Sequence, residues 1–167
     1  MVSFEPASFV LVSHNVDETY QIGHRLGTLL QAGDIVCLSG DLGAGKTALA
    51  RGIGRGWGAL EAVTSPTFTL VHEHHRNRNG HMLYHIDCYR LQGSADAWSI
   101  GLDDLLHDDG ILVIEWPEHI ADVLPPEHLW IVIDMLDETR RRLHFRPAGP
   151  HFHALAETLR QDLARAW

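Results

Sequence analysis

One short run constrains this chain more than any other feature: the sequence Gly-Asp-Leu-Gly-Ala-Gly-Lys-Thr at residues 40–47. It matches the phosphate-binding pattern Gly-x-x-x-x-Gly-Lys-Ser/Thr at every fixed position. The apolar run at 35–38 predicts a strand buried on both faces, and a helix is predicted from Lys46 to about Gly58. A glycine loop between such a strand and helix is the setting in which this motif, the P-loop, binds nucleotide phosphates.

The residue types of the loop explain this chemistry. Gly40, Gly43 and Gly45 allow backbone conformations that other residues avoid. Successive N–H groups then point at phosphate oxygens, and the start of the helix adds the positive end of its dipole. We expect Lys46 to reach the β- and γ-phosphates and the Thr47 hydroxyl to bind Mg²⁺. A glycine turn that only packs would not require both side chains.

Two acidic residues follow predicted strands and are candidates for the rest of the magnesium site. Glu115 comes directly after the apolar run 111–114, and Asp87 ends the strand predicted at 81–87. Mg²⁺ takes oxygen ligands, directly or through water, and the ends of buried strands would deliver these carboxylates to it. Which of the two orders the metal and which positions the attacking water stays open at this point.

The segment Thr-Ser-Pro-Thr at 64–67 is a candidate sensor of the γ-phosphate, because Pro66 favours an extended, hydroxyl-rich loop before a strand. The chain has no Asn-Lys-x-Asp run for guanine recognition and no Asp-x-x-Gly switch after the P-loop. ATP is therefore favoured over GTP as the nucleotide.

The remaining pattern alternates strands and helices. Strands are predicted at 11–12, 35–38, 67–74, 81–87, 111–114, 129–135 and 140–146. Helices are predicted at 16–31, 46–58, 95–99 and 102–107, and after Pro150. Together these elements predict one α/β domain over residues 1–167 with the P-loop NTPase fold, in which a mainly parallel core sheet carries an antiparallel extension and flanking helices. Gly52, Gly54 and Gly56 are expected to weaken the second helix, by about 0.5–1 kcal/mol each.

Composition limits the partners that the protein is expected to have. The formal charge is −9, from 13 basic and 22 acidic residues, so a nucleic acid is expected to be reached through a partner protein. The run Arg-Arg-Arg at 140–142 and the pair Arg76 and Arg78 are interpreted as solvated hairpin charge.

The chain begins without the pattern of a signal peptide and contains no apolar run of about 20 residues, so no membrane contact is expected. Cys37 and Cys88 are expected to be buried reduced thiols in a cytoplasmic protein.

Histidines are concentrated in one part of the sequence. Five of the chain's 13 fall between His72 and His85. Because no Cys-x-x-Cys or His-Glu-x-x-His pattern accompanies them, we interpret most of them as an exposed hairpin rather than a metal centre. His85 is the exception, because it belongs to the motif described next.

The motifs converge on one family. The chain resembles TsaE, the bacterial P-loop ATPase of tRNA threonylcarbamoyladenosine biosynthesis, over nearly its whole length. The resemblance rests on five runs that come in the order of the family: 40–47, Thr-Ser-Pro-Thr-Phe at 64–68, His-Ile-Asp-Cys-Tyr-Arg-Leu at 85–91, Ile-Gly-Leu at 100–102 and Ile-Glu-Trp-Pro-Glu at 114–118. The runs at 85–91 and 114–118 are far more specific than a P-loop alone.

The resemblance implies that the protein binds ATP and Mg²⁺, hydrolyses ATP slowly, and acts with the TsaB–TsaD transferase pair. That pair installs the threonylcarbamoyl group on adenosine 37 of tRNAs reading ANN codons, and the ATPase would reset it between turnovers. By the same resemblance the catalytic residues are Lys46, Asp87 and Glu115, and the metal-binding residues are Thr47, Asp87 and Glu115. The nucleotide-binding residues are Asp41, Leu42, Gly43, Ala44, Gly45, Lys46, Thr47, Ala48, Thr67 and Trp116, the last in the nucleotide site or at the partner surface.

Two other functions are consistent with a P-loop. A small-molecule kinase normally carries an arginine-bearing lid over the phosphates, and no such segment is evident. A nucleotide-gated binding module would differ little in sequence from a coupled ATPase.

Overall fold

The computed structural model describes residues 8–63, 70–76 and 80–166. The strands are β1 (Phe9–Ser13), β2 (Ile35–Ser39), β3 (Val71–His75), β4 (Met82–Asp87), β5 (Ile111–Glu115), β6 (His128–Met135) and β7 (Arg141–Ala148). The helices are α1 (Val16–Leu29), α2 (Lys46–Trp57), α3 (Ser94–Ser99), α4 (Leu102–Leu106) and α5 (Pro150–Ala166). The predicted elements are thus confirmed within a few residues, and the predicted strand 67–74 is confirmed from residue 71, since 67–69 lie outside the described residues.

The strands within these ranges form one seven-stranded sheet in the order β1-β7-β6-β2-β5-β4-β3. Its centre is parallel, because β2 pairs in parallel with both β5 and β6, and β4 pairs in parallel with β5. The outer pairings, β1 with β7, β6 with β7 and β3 with β4, are antiparallel. The predicted mainly parallel sheet with an antiparallel extension is confirmed.

Sheet order and register place the P-loop and the acidic residues at one edge. β2 and β5 are buried on both faces, as their continuous apolar runs predict. Leu38 pairs with Glu115, and Glu115 in turn pairs with Asp87. Because these three strands are parallel, their carboxyl ends meet at the edge where the P-loop leaves β2.

Helices α1 and α2 pack against each other through glycines. A Cβ atom on Gly56 would lie 1.9 Å from the carbonyl oxygen of His24, and one on Gly52 would lie 2.1 Å from that of Tyr20. The glycines of α1 that approach the α2 backbone in the same way are Gly23 and Gly27. The conformational cost of glycine in α2 is therefore offset by a helix contact that a larger residue would prevent.

The two faces of the sheet carry separate cores. One core includes side chains of α1, α2 and α5, and the other includes those of α3, α4 and the 3-10 turns at Pro117–Val123, which the sequence pattern did not predict. Both cysteines are free and buried, which confirms the prediction that they are buried and unpaired. Burial raises the pKa of Cys88 to about 12 and raises that of Cys37 further, so both stay thiols at neutral pH. None of the helices in the described ranges is long and apolar enough to cross a bilayer.

Candidate phosphate-binding site

The P-loop has the backbone geometry that its glycines allow. Gly43 and Gly45 have φ angles of 80° and 109°, in the left-handed region that favours glycine. Gly40 is required for a different reason, since a Cβ there would lie 2.6 Å from the carbonyl oxygen of Ile133. The loop closes on itself through a hydrogen bond from the Ala44 N–H to the Asp41 carbonyl oxygen, 3.0 Å long.

Lys46, the first residue of α2, is buried inside the site with 6% of its surface exposed. Its ammonium group donates a hydrogen bond to the Gly40 carbonyl oxygen and lies 3.8 Å from the centre of the Trp116 ring. Burial lowers the pKa of Lys46, and nearby carboxylates oppose this shift, Glu115 most strongly, followed by Glu118 and then Asp87. The positive charge thus lies at the mouth of the loop, facing the acidic strand ends.

Trp116 reaches Lys46 because of an uncommon backbone conformation. With φ 56° and ψ 48°, it is the one non-glycine residue in the described ranges with a positive φ angle. This conformation ends β5 and turns the indole towards the P-loop. The rings of Tyr89 and His119 lie 5.1 and 5.7 Å from that of Trp116, centre to centre, so an aromatic group borders the site.

The two candidate acids have different surroundings. Glu115 is 4% exposed, and one of its carboxylate oxygens lies 2.6 Å from Nε2 of His85, which is fully buried. His85 is therefore a buried partner of the carboxylate and not part of an exposed hairpin. Asp87 is half-buried and accepts a hydrogen bond of 2.9 Å from the backbone N–H of Tyr89. The imidazole fixes the orientation of Glu115, whereas Asp87 is anchored through its own turn.

Of the other predicted site residues, four lie in the described ranges and one does not. Thr47 and Ala48 lie in the first turn of α2 beside the loop, and Asp41 and Leu42 are on its exposed outer part. Thr67, with the whole segment 64–67, lies outside the described residues. Among the residues that are described, no three His, Cys, Asp or Glu side chains lie close enough together to hold a metal ion by themselves.

The sequence analysis did not identify Arg141 of β7, whose side chain contacts carbonyl oxygens of the P-loop. Its Nε donates to the Ala44 carbonyl oxygen at 2.9 Å, and a terminal nitrogen lies 3.4 Å from that of Gly43. The interpretation of residues 140–142 as solvated charge is therefore wrong for Arg141, although Arg140 and Arg142 do form exposed pairs with aspartates. Strand alternation could have found it, since Arg141 lies on the same face as Leu143, which is buried.

A cavity of about 250 Å³ opens beside the loop, between α1, α2 and the β6–β7 hairpin. Gly45, Ala48 and Arg141 form its wall on the side of the P-loop. Val16, Thr19 and Thr139 contribute to the rest of the wall. No sequence motif marked these last three residues, because they come from segments that only the fold brings together.

A central parallel strand, a glycine loop and a helix that begins at the loop's lysine define the class of this protein: it has the P-loop NTPase fold. The model of the family described as threonylcarbamoyl adenosine biosynthesis protein TsaE matches residues 13–143. The chain belongs to the TsaE family.

Individual relatives agree with this assignment. The chain is 37% identical to the tRNA threonylcarbamoyladenosine biosynthesis protein TsaE of Bacillus subtilis, over 87% of this chain and 89% of that protein. It is 46% identical to the protein of the same name from Streptomyces coelicolor, over 68% and 77% of the two chains. The crystal structure of Bacillus subtilis YdiB superposes with a TM-score of 0.76 at 32% identity, covering 93% of this chain and 95% of that one.

Proposed function

We propose that this protein is a Mg²⁺-dependent subunit that binds and hydrolyses ATP and is required to form the threonylcarbamoyl group on adenosine 37 of tRNAs reading ANN codons. In this proposal it acts in the cytoplasm with the TsaB–TsaD transferase pair. The observation that carries the proposal is the position of Lys46, which is buried at the mouth of a complete P-loop and faces Glu115 and Asp87. Membership of the TsaE family supplies the pathway.

Phosphate binding follows from the contacts of Lys46. In the structure its ammonium group donates to the Gly40 carbonyl oxygen and lies against the face of Trp116. A phosphate oxygen is a stronger partner than either, because its negative charge attracts the ammonium group in addition to accepting its hydrogen bond. Lys46 would exchange them for the β- and γ-phosphates, while the N–H groups of the loop and the start of α2 receive the remaining oxygens.

The donor set at the strand ends fits Mg²⁺. The Thr47 hydroxyl and the carboxylates of Glu115 and Asp87 are hard oxygen ligands, and Mg²⁺ is usually held by one or two carboxylates together with substrate phosphates and water. When bound, the cation would neutralise charge that develops on the phosphates.

Sheet order supports different roles for the two acids. β5 is next to β2, whereas β4 is one strand further from the P-loop, a step of about 4.8 Å. Glu115, oriented by His85, is therefore proposed as the acid on the metal side. Asp87 is proposed to position the attacking water, with its orientation held by the Tyr89 N–H.

The nucleoside is assigned to the cavity that Gly45, Ala48 and Arg141 share with α1. Because Gly45 and Ala48 line this cavity, a nucleotide with its phosphates in the loop could place its base there. The acidic net charge of −9 supports the view that tRNA is reached through the partner proteins.

The chain offers a direct test of nucleotide binding, because Lys46 is its only lysine. An amine-reactive acylating reagent can therefore modify one side chain, and the α-amino group of the purified chain provides an internal control. We expect Mg²⁺ with ATP to protect Lys46, as measured by mass spectrometry, without changing modification of the α-amino group. Equal modification of Lys46 with and without ATP would contradict the proposal, and equal protection by GTP would contradict the preference for ATP.

A further inference from the structure

A second cavity lies far from the phosphate-binding site, at the carboxyl end of α2. It has a volume of about 590 Å³, and its walls include Arg55, Trp57 and Arg76. Helix α2 separates it from the P-loop, because the eleven steps from Lys46 to Trp57 span roughly 16 Å along the helix. Two arginines in one cavity are notable in a chain with a formal charge of −9. The proposed ATPase cycle uses neither of them.

Arg76 is held in place before any ligand arrives. Its Nε donates a hydrogen bond of 2.8 Å to the Trp57 carbonyl oxygen, and its guanidinium carbon lies 4.7 Å from the centre of the Trp57 ring. Its backbone is fixed by bridge pairing with Ala59 and by a hydrogen bond to the His81 carbonyl oxygen. The terminal nitrogens of Arg76 have no acceptor among the residues that the structure describes. The side chain therefore presents an oriented pair of unused donors, and little conformational freedom remains to be lost on binding.

Arg55 supplies the second charge. It is exposed on α2, and within the described ranges no carboxylate forms an ion pair with it. A smaller neighbouring cavity of about 260 Å³ shares Arg55 and adds Arg51 and Glu61. Arg51 is engaged there, since its Nε donates to the Val63 carbonyl oxygen at 3.2 Å. At this end of α2 the two positive charges of Arg51 and Arg55 are thus accompanied by one negative charge, that of Glu61.

Trp57 provides an independent observation at the same cavity. The residue is 2% exposed, and its indole N–H is buried with no acceptor in the part of the chain that is described. A buried donor without a partner is rare in folded proteins and destabilising. This unpaired donor belongs to a residue that forms part of the wall of the cavity.

We propose that this cavity binds an anion that carries a phosphate group, at a site separate from the P-loop. Two guanidinium groups match the double charge of a phosphate better than a single carboxylate, and the planar fork of Arg76 fits its oxygens. The phosphate could belong to a free phosphorylated molecule or to the backbone of a nucleic acid. The experiment distinguishes these two sources.

The test uses the full chain with its P-loop saturated by Mg²⁺ and a non-hydrolysable ATP analogue, which occupies the γ-phosphate position as well, so that added phosphate reports on the second site alone. Inorganic phosphate is titrated by calorimetry at constant ionic strength, with chloride as the matched blank. A single-stranded oligoribonucleotide without a terminal phosphate is titrated in parallel. Saturable binding of either probe is expected. Tighter binding of the oligoribonucleotide would identify the backbone of a nucleic acid as the source, and binding of inorganic phosphate alone would identify a small phosphorylated molecule.

Matched variants locate the binding. Arg55→Gln removes an exposed charge that makes no ion pair within the described ranges, so the variant should fold normally. It should weaken binding of the phosphate probe about tenfold, the effect of one charge-assisted hydrogen bond. Arg165→Gln removes an exposed charge from α5 and should bind like the unmodified chain. Arg76→Gln should also weaken binding, and its thermal midpoint would report any loss of packing on Trp57. Absence of binding by both probes, or equal affinity in the Arg55→Gln variant, would overturn the proposal.

Discussion

Replacement of Arg141 by alanine tests how the P-loop is held in shape. The guanidinium group makes one short hydrogen bond to the Ala44 carbonyl oxygen and a longer contact to that of Gly43. Because the peptide bond is planar and trans, the Gly45 N–H points away from the Ala44 carbonyl and therefore away from Arg141, so this contact sets the direction of one N–H of the loop. Arg141 is therefore a positioning residue for the loop and not a ligand of the phosphate.

The size of the effect follows from the short bond. A hydrogen bond that involves a charged group contributes about 1.5–3 kcal/mol, and the 3.4 Å contact adds little. If the nucleotide must order a loop that has lost this restraint, affinity for ADP should fall by about 1.5 kcal/mol, roughly tenfold. Calorimetric titration of ADP measures this change, and thermal unfolding shows whether the variant remains folded.

The neighbouring residue provides the control. Arg142 carries the same charge but pairs with Asp134 on the exposed side of the hairpin, a contact worth about 0–1 kcal/mol. Arg142→Ala should bind ADP like the unmodified chain, and Arg141→Lys should recover part of the loss of Arg141→Ala. Equal ADP affinity in Arg141→Ala and Arg142→Ala would refute the reasoning.

Three further predictions concern stability and the acidic pair. Gly56→Ala should lower the free energy of unfolding by about 1–3 kcal/mol, because the new Cβ would overlap the His24 carbonyl oxygen. A denaturant titration measures this change, and a gain in stability from the higher helix propensity of alanine would contradict the close packing. Burial lowers the pKa of His74 below its ordinary value near 6.5, with the charges of His85 and His72 adding to the shift and Glu61 opposing it. The unfolded chain then binds a proton at His74 more readily than the folded chain, so the free energy of unfolding should fall as the pH falls below about 6.5. In His74→Leu this fall with pH should be shallower, and an unchanged slope would exclude His74 as its cause. Because it weakens the proposed binding of Mg²⁺, Glu115→Gln should reduce ATP hydrolysis in the presence of the partner proteins by about 100-fold, whereas full activity would remove Glu115 from the proposed mechanism.

The architecture was predictable because its signals are local. The P-loop of residues 40–47 fixes a strand before it and a helix after it. The continuous apolar runs of β2 and β5 indicate strands buried on both faces, as observed. The acids at the ends of β4 and β5 could be placed near the loop, since parallel strands bring their carboxyl ends to one edge.

What escaped prediction depends on contacts between distant segments. The glycines of α2 are unfavourable in an isolated helix, and their value appears only when the backbone of α1 is packed against them. Arg141 lies nearly 100 positions from the loop that it holds, in a run whose composition suggests solvent. The left-handed conformation of Trp116 has no local sequence signal, yet it sets the contact with Lys46.

ATP hydrolysis by the purified protein, measured alone and then with the TsaB–TsaD pair and tRNA, tests the central claim most directly. A low basal rate is expected to rise in the presence of the pair and to vanish in the Lys46→Ala variant. A rate that does not respond to the pair would contradict the proposed coupling of this ATPase to tRNA modification. Equal hydrolysis by Lys46→Ala and the unmodified chain would contradict the assignment of the P-loop as the catalytic site.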